Sequence, residues 1–203
     1  MRIGVFGGAF DPPHAAHAAL AKAAAAQRGL DRVIWVPTFA PPHKDAPAAP
    51  FAQRLAMAAA LAALDDVSEV SDIEASLPPP SYTLHTLRAL KARLARAEGA
   101  GSPSHEWELI LGADNWAGFP RWHEPRAVLA EASIAVYPRA GFPADALPPF
   151  PEGSAMLNFP EMPHRSMDFR AWLSRNREAA LAALPAAVAD LIRARGLYAE
   201  GAA

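Results

Sequence analysis

Arg2-Ile3-Gly4-Val5-Phe6-Gly7-Gly8-Ala9-Phe10-Asp11-Pro12-Pro13-His14-Ala15-Ala16-His17 is the stretch whose reading decides the fold. Residues 2–6 form a short apolar run of strand formers closed by Gly7-Gly8, which reads as a buried parallel strand. From Ala15 to about Gln27 the pattern turns helical, with Gly29 placed as its stop. Two glycines directly after a strand let the backbone turn sharply and approach a ligand closely. The helix starts near His14 or Ala15, so its free N–H groups and positive dipole end face the same crevice and favour an anion. His14 and His17 are three apart, which sets both rings on one side of the first turn, where they can donate hydrogen bonds to a phosphate. The competing readings are a plain turn and a His-x-x-His metal pair. For the metal pair Asp11 is the only nearby acid, and the chain has no cysteine. Neither Gly-x-x-x-x-Gly-Lys-Ser/Thr nor Gly-x-Gly-x-x-Gly occurs, so the loop is neither a Walker-type loop nor a hydride-transfer dinucleotide fingerprint.

Outward from this unit, strands and helices alternate. Residues 31–36 read as a second strand ended by Pro37, 38–50 as a proline-rich loop, and Phe51 to Leu64 as a helix. Val67 to Ile73 is a candidate third strand, and Thr83 to Arg96 an amphipathic helix with Leu84, Leu87, Leu90 and Leu94 on one side. Trp107 to Leu111 leads as a strand into Gly112-Ala113-Asp114, and 133–137 and 155–159 read as further strands. A short helix is expected near 125–131, and the end of the chain is mostly helical. This alternation predicts one α/β domain over 1–203, a mainly parallel sheet flanked by helices, with a small C-terminal helical part over 165–203. Ligands of such sheets bind beyond the carboxyl ends of the strands, where strand order reverses.

Totals narrow the function. A length of 203 residues with 52% hydrophobic and 20% charged residues supplies a core and rules out general disorder. A formal net charge of -2 gives no footprint for DNA or RNA, while leaving room for a small phosphorylated ligand. The absence of cysteine removes disulfides, thiolate metal sites and cysteine nucleophiles together. The Gly-Gly loop interrupts the N-terminus before a signal-peptide core forms, and no apolar run reaches membrane-spanning length. A cytoplasmic protein with no membrane partner is the expectation.

The stretch 7–17 resembles the Gly-Gly-x-Phe-Asp-Pro-x-His-x-x-His signature of the nucleotidyltransferase superfamily that includes the nicotinate and pantetheine-phosphate adenylyltransferases. Pro41-Pro42-His43-Lys44, Ser81-Tyr82-Thr83-x-x-Thr86-Leu87, and Gly112-Ala113-Asp114 followed by Phe119-Pro120-Arg121-Trp122 resemble segments of the bacterial nicotinate-nucleotide branch. So does the ending Gly196-Leu197-Tyr198. The resemblance implies a Rossmann-like fold and ATP and nicotinate mononucleotide as substrates, with Mg²⁺ carried in on the nucleotide phosphates and no protein metal site. It also implies that Gly7, Gly8, Ala9, Phe10, His14, His17, Gly112, Asp114, Ser166 and Arg170 bind ATP. Asp114 would accept hydrogen bonds from the ATP ribose, though a helix N-terminal role is the structural alternative. Lys44 would be a cation near the phosphates on a loop able to close. Thr83, Trp122 and His123 would hold the nicotinate nucleotide, the ring stacking on Trp122 and the carboxylate meeting backbone amides near Thr83 and His123. Family spacing selects Trp122 over Trp116.

In the last phosphate-binding segment the family shows Ile-Ser-Ser-Thr-x-Ile-Arg, and this chain reads His164-Arg165-Ser166-Met167-Asp168-Phe169-Arg170. Ser166 and Arg170 keep matching positions, whereas Arg165 and Met167 replace serine and threonine. The implied chemistry is in-line attack of the nucleotide phosphate on the α-phosphorus of ATP, with His14, His17, Lys44 and Arg170 in the catalytic role. Two alternatives stand beside it: adenylyl transfer to nicotinamide mononucleotide or phosphopantetheine, and a nucleotide-binding regulator without turnover.

Overall fold

Alternation of apolar side chains along the first strand builds two cores at once. In the computed structural model, which describes residues 1–42, 45–99, 104–161 and 165–199, β1 (Arg2–Gly8) sends Ile3 and Val5 to one face and Phe6 to the other. Beside it lie β2 (Arg32–Pro37), β3 (Ser68–Val70), β4 (Glu106–Gly112), β5 (Ser133–Tyr137) and β6 (Ala155–Met156). The six strands take the order β3-β2-β1-β4-β5-β6, every pairing parallel. This is the Rossmann-like order, and its direction reverses between β1 and β4, which opens a crevice at their carboxyl ends.

The helices are α1 (Ala15–Arg28), α2 (Phe51–Ala62), α3 (Thr83–Glu98), α4 (Ala113–Gly118), α5 (Pro125–Glu131), α6 (Ser166–Arg175), α7 (Arg177–Ala183) and α8 (Ala186–Ala194). On one face Leu20, Met57, Phe169, Leu181 and Val188 from α1, α2 and α6–α8 pack over Phe6, Trp35 and Ile110. On the other, Leu84, Leu87, Trp116 and Val128 from α3–α5 pack over Val5, Leu109 and Ile134. Among the described residues no helix is long and apolar enough to cross a membrane.

Four elements differ from expectation: the strand expected over 155–159 shrinks to Ala155–Met156, and three others differ for local reasons. The strand expected over 67–73 shrinks to Ser68–Val70, because the Asp65 carboxylate accepts the N–H groups of Val67 and Ser68 at 3.0 and 2.7 Å and Ile73–Ser76 coils into a 3-10 turn. Gly7 and Gly8 pair with Val36 and Pro37 as the last residues of β1, so the sharp turn falls after them. The unpredicted α4 starts directly at the end of β4.

Arg54 of α2 holds the sheet edge together. Its guanidinium is buried, with 1% of the residue exposed. It donates to the carbonyls of Ala9 and Thr38 at 2.8 Å each and of Ala49 at 3.0 Å. Burial lowers its pKa, opposed by the Asp11 carboxylate, and an arginine remains charged in any case. Arg54→Met is expected to lower the unfolding free energy by about 3–5 kcal/mol in urea titration. A loss below about 1 kcal/mol would show that these loops are held by something else.

Candidate active site

Two helix N-termini meet beyond the end of β1. At the start of α1 the His14 and His17 rings lie 3.9 Å apart between centroids. The His14 N–H donates to Nδ1 of His17 at 3.1 Å. That bond occupies the Nδ1 lone pair, so the neutral His17 ring carries its proton on Nε2 and offers it outward. Burial, then the neighbouring His14 and Arg139, push the His17 imidazole well below its ordinary pKa. The ring is therefore a neutral donor.

At the start of α6, Ser166 Oγ donates to the Pro12 carbonyl at 3.0 Å and Arg170 Nη1 to the Asp11 carbonyl at 2.7 Å. The Phe169 ring stacks on His14 at 5.3 Å. His14, His17, Ser166 and Arg170 thus gather around one loop, although Ser166 and Arg170 come from the far end of the sequence. Arg165 is exposed and lies 3.7 Å from Asp168 in its own helical turn. Met167 is also exposed.

Across the Gly7-Gly8-Ala9 loop from this cluster lies a cavity of about 530 Å³. Gly7, Gly8, Ala9, Thr83, Asp114, Trp122 and His123 all line it. Phe10 does not: its ring is buried, stacked on Trp35 at 5.2 Å and edge-on to His17 at 5.1 Å, so it supports the loop from below. Trp122 packs at 5.1 Å on Phe119, whereas Trp116 is buried core, its indole N–H bonded to the Pro148 carbonyl at 3.0 Å. His123 stacks on Tyr82 at 4.2 Å. Among the described residues no side chain caps the first turn of α3, so the N–H groups at Thr83 open into the cavity wall. Lys44 and His43 lie outside the described residues.

Asp114 begins α4 and faces Arg139, with Oδ1 3.7 Å from Nε. Both atoms are buried without a hydrogen bond among the described residues, the state expected of groups that await a ligand. Gly112 lies beneath the pair, and a Cβ there would collide with Asp114 Oδ1. Arg139 also receives the Tyr137 hydroxyl, donating to it from Nη2 at 3.0 Å.

Three residues had no role assigned from the sequence. Arg139 follows β5 as an ordinary loop cation. Glu74, just past the stretch read as strand, is buried and accepts from Phe39 N–H at 2.9 Å and from the Thr86 hydroxyl at 3.0 Å. Arg54 lies within the stretch 51–64 read as helix, and that pattern gives it no role. Only the strand-end position of Arg139, after Tyr137, hinted at a ligand edge.

Comparison with known proteins supports one lineage. Residues 5–171 match the cytidylyltransferase-like family. A probable nicotinate-nucleotide adenylyltransferase of Gloeobacter violaceus is 34% identical over 205 residues, covering 97% of this chain and 96% of its own. One of Herpetosiphon aurantiacus is 35% identical over 210 residues, covering 98% of each.

The chain belongs to the nicotinate-nucleotide adenylyltransferase family. The same fold occurs in the Plasmodium falciparum nicotinic acid mononucleotide adenylyltransferase complexed with NaAD, at a TM-score of 0.75 and 18% identity over 97% of both chains.

In this adenylyltransferase-family chain the depressed His17 pKa sets a pH dependence. An imidazole that stays neutral when folded but titrates near 6.5 when unfolded stabilises the fold above that pH, and the contribution is lost as pH falls. Unfolding free energy of the ligand-free protein is expected to drop between about pH 7 and pH 5. In His17→Asn that drop should be shallower, and identical slopes would contradict the assignment.

Proposed function

We propose that the protein transfers the AMP group of ATP to nicotinate mononucleotide, giving nicotinate adenine dinucleotide and pyrophosphate in NAD biosynthesis. The observation that carries this is the placement of two differently built sites on either side of one glycine loop. The polar side, made by the α1 and α6 N-termini, His14, His17, Ser166 and Arg170, suits a triphosphate. The other side is an aromatic-walled cavity with helix N–H groups in its rim, which suits a flat ring bearing a carboxylate.

The nucleophile is an anionic phosphate, so no strong base is required and catalysis rests on alignment and charge stabilisation. Glycines at 7 and 8 let both phosphates approach the backbone from opposite sides. His17 donates from Nε2 to an oxygen on the phosphorus under attack, and His14 acts beside it. Arg170 and Ser166 hold the leaving pyrophosphate, and Asp114 with Arg139 receives a ribose hydroxyl and a phosphate oxygen; the family resemblance adds Lys44, which lies outside the described residues. Thr83 and His123 backbone N–H groups take the nicotinate carboxylate while Trp122 stacks on the ring, a contact worth about 1–2 kcal/mol when the ring is cationic.

Among the described residues no three His, Cys, Asp or Glu side chains come together to hold a metal ion. The Asp114 carboxylate faces Arg139 instead. Mg²⁺ carried in on the nucleotide's own phosphates would supply neutralisation of charge on the leaving pyrophosphate.

Pyrophosphate release from ATP and Mg²⁺ with nicotinate mononucleotide, nicotinamide mononucleotide or phosphopantetheine as acceptor tests the reading. Turnover should be fastest with the nicotinate nucleotide and fall about 10²–10³-fold in His17→Ala. A preference for another acceptor would overturn the substrate assignment, and ATP binding without turnover would favour a regulator.

A further inference from the structure

Asp11, inside the first loop, is a buried carboxylate with 2% of its surface exposed. It faces no cavity. Oδ2 accepts the Ala48 N–H at 2.7 Å, and Oδ1 accepts the Ala49 N–H at 3.0 Å. Tyr198 donates its hydroxyl to the same Oδ1 at 2.7 Å. Arg170 approaches Oδ2 with Nη1 at 3.5 Å while donating to the Asp11 carbonyl at 2.7 Å. One carboxylate therefore joins the phosphate loop, the end of the 38–50 loop, α6 and the C-terminal turn.

The backbone of the donor is strained. Tyr198 sits at φ 58°, a region that L-residues rarely adopt and that persists only when surroundings enforce it. Among the described residues the other non-glycine positive-φ positions are Phe10, beneath the phosphate loop, and Glu124, next to His123. All three border the site. Burial, then the nearby Asp11 carboxylate, push the Tyr198 phenol far above its ordinary pKa, so it remains a proton donor.

We infer that Tyr198 is a positioning residue for the triphosphate: by neutralising part of the Asp11 charge, its hydroxyl keeps Arg170 available to the ligand. A carboxylate and a guanidinium in a low-dielectric site attract strongly. With its charge shared among two amides, a phenol and Arg170, Asp11 holds Arg170 at 3.5 Å, a loose ion pair. The other guanidinium nitrogens of Arg170 have no partner among the described residues. Without the phenol, Asp11 Oδ1 loses a short hydrogen bond and the carboxylate draws Arg170 inward, away from the phosphates. This inference rests on the reading of the α1–α6 cluster as the triphosphate site.

Calorimetric titration with ATP in the absence of acceptor tests it in the full chain, comparing wild type, Tyr198→Phe, Arg170→Ala and the double variant. Tyr198→Phe should raise the ATP Kd about tenfold, about 1.4 kcal/mol, while adding little in the Arg170→Ala background. Hydrogen exchange at the Ala48 and Ala49 amides should quicken in Tyr198→Phe, with the sheet core unchanged. An unaltered Kd alongside a lowered Tm would overturn the inference and leave Tyr198 a structural tail contact. Full additivity with Arg170→Ala would also overturn it, because the effect would not pass through Arg170. Since no acceptor is present, failure of the nicotinate nucleotide as substrate would be read separately, in the turnover assay.

Discussion

Parallel strands deliver unpaired main-chain carbonyls to one edge of the sheet, and here that edge is also where a ligand must come closest. Arg54 resolves the conflict. Its buried fork takes up carbonyls from the β1 loop, from the residue after β2 and from the start of α2. A guanidinium withdrawn from water costs several kcal/mol unless its donors are met, so these three segments cannot drift apart without exposing that cost. Gly7, Gly8 and Ala9 become the floor of the cavity and Thr38 part of its wall because of this fixed spacing. Glu74 repeats the device with opposite sign, tying Phe39 to Thr86 and so the 38–42 segment to α3.

Much of this was readable in the sequence. The run 2–6, the glycines and the helical pattern after His14 give β1, the loop and α1 directly, because each depends on local periodicity and backbone freedom. Leu84, Leu87 and Leu90 likewise announce the buried face of α3. The family resemblance separated Trp122 from Trp116, and one lines the cavity while the other packs in the core. The β3 region misled for a local reason: Asp65 caps the backbone and the apolar Ile73 belongs to a turn rather than a strand.

What stayed hidden shares a cause. Arg54, Glu74 and Tyr198 act on main-chain groups or on residues far along the chain, 187 positions away for Tyr198 and Asp11. No period or spacing registers such a bond. Arg139 belongs with them, since its partner Asp114 comes from another strand end. Phe10 is the reverse case: a motif residue expected at the ligand, whose ring instead fills the core beneath the loop. Its motif value lies in shaping the turn at φ 48°.

The proposed phosphate site has to work in a chain of net charge -2. Bare cations in a buried crevice would repel one another and would cost folding free energy. Instead the described site uses groups that are neutral or already paired when empty. His17 is an uncharged donor, and helix N-termini contribute partial charges fixed by the backbone. Arg170 and Arg139 each face a carboxylate, at 3.5 and 3.7 Å. Those separations are too long for a hydrogen bond and short enough for an ion pair, so each arginine is stabilised yet not saturated. An incoming phosphate gains the unspent donors without first breaking a tight pair. On the proposed reading, a nucleotide whose phosphates and ribose reach Arg170, His17 and the Asp114–Arg139 pair together would gain all of them, so that selectivity would come from their arrangement rather than from total charge.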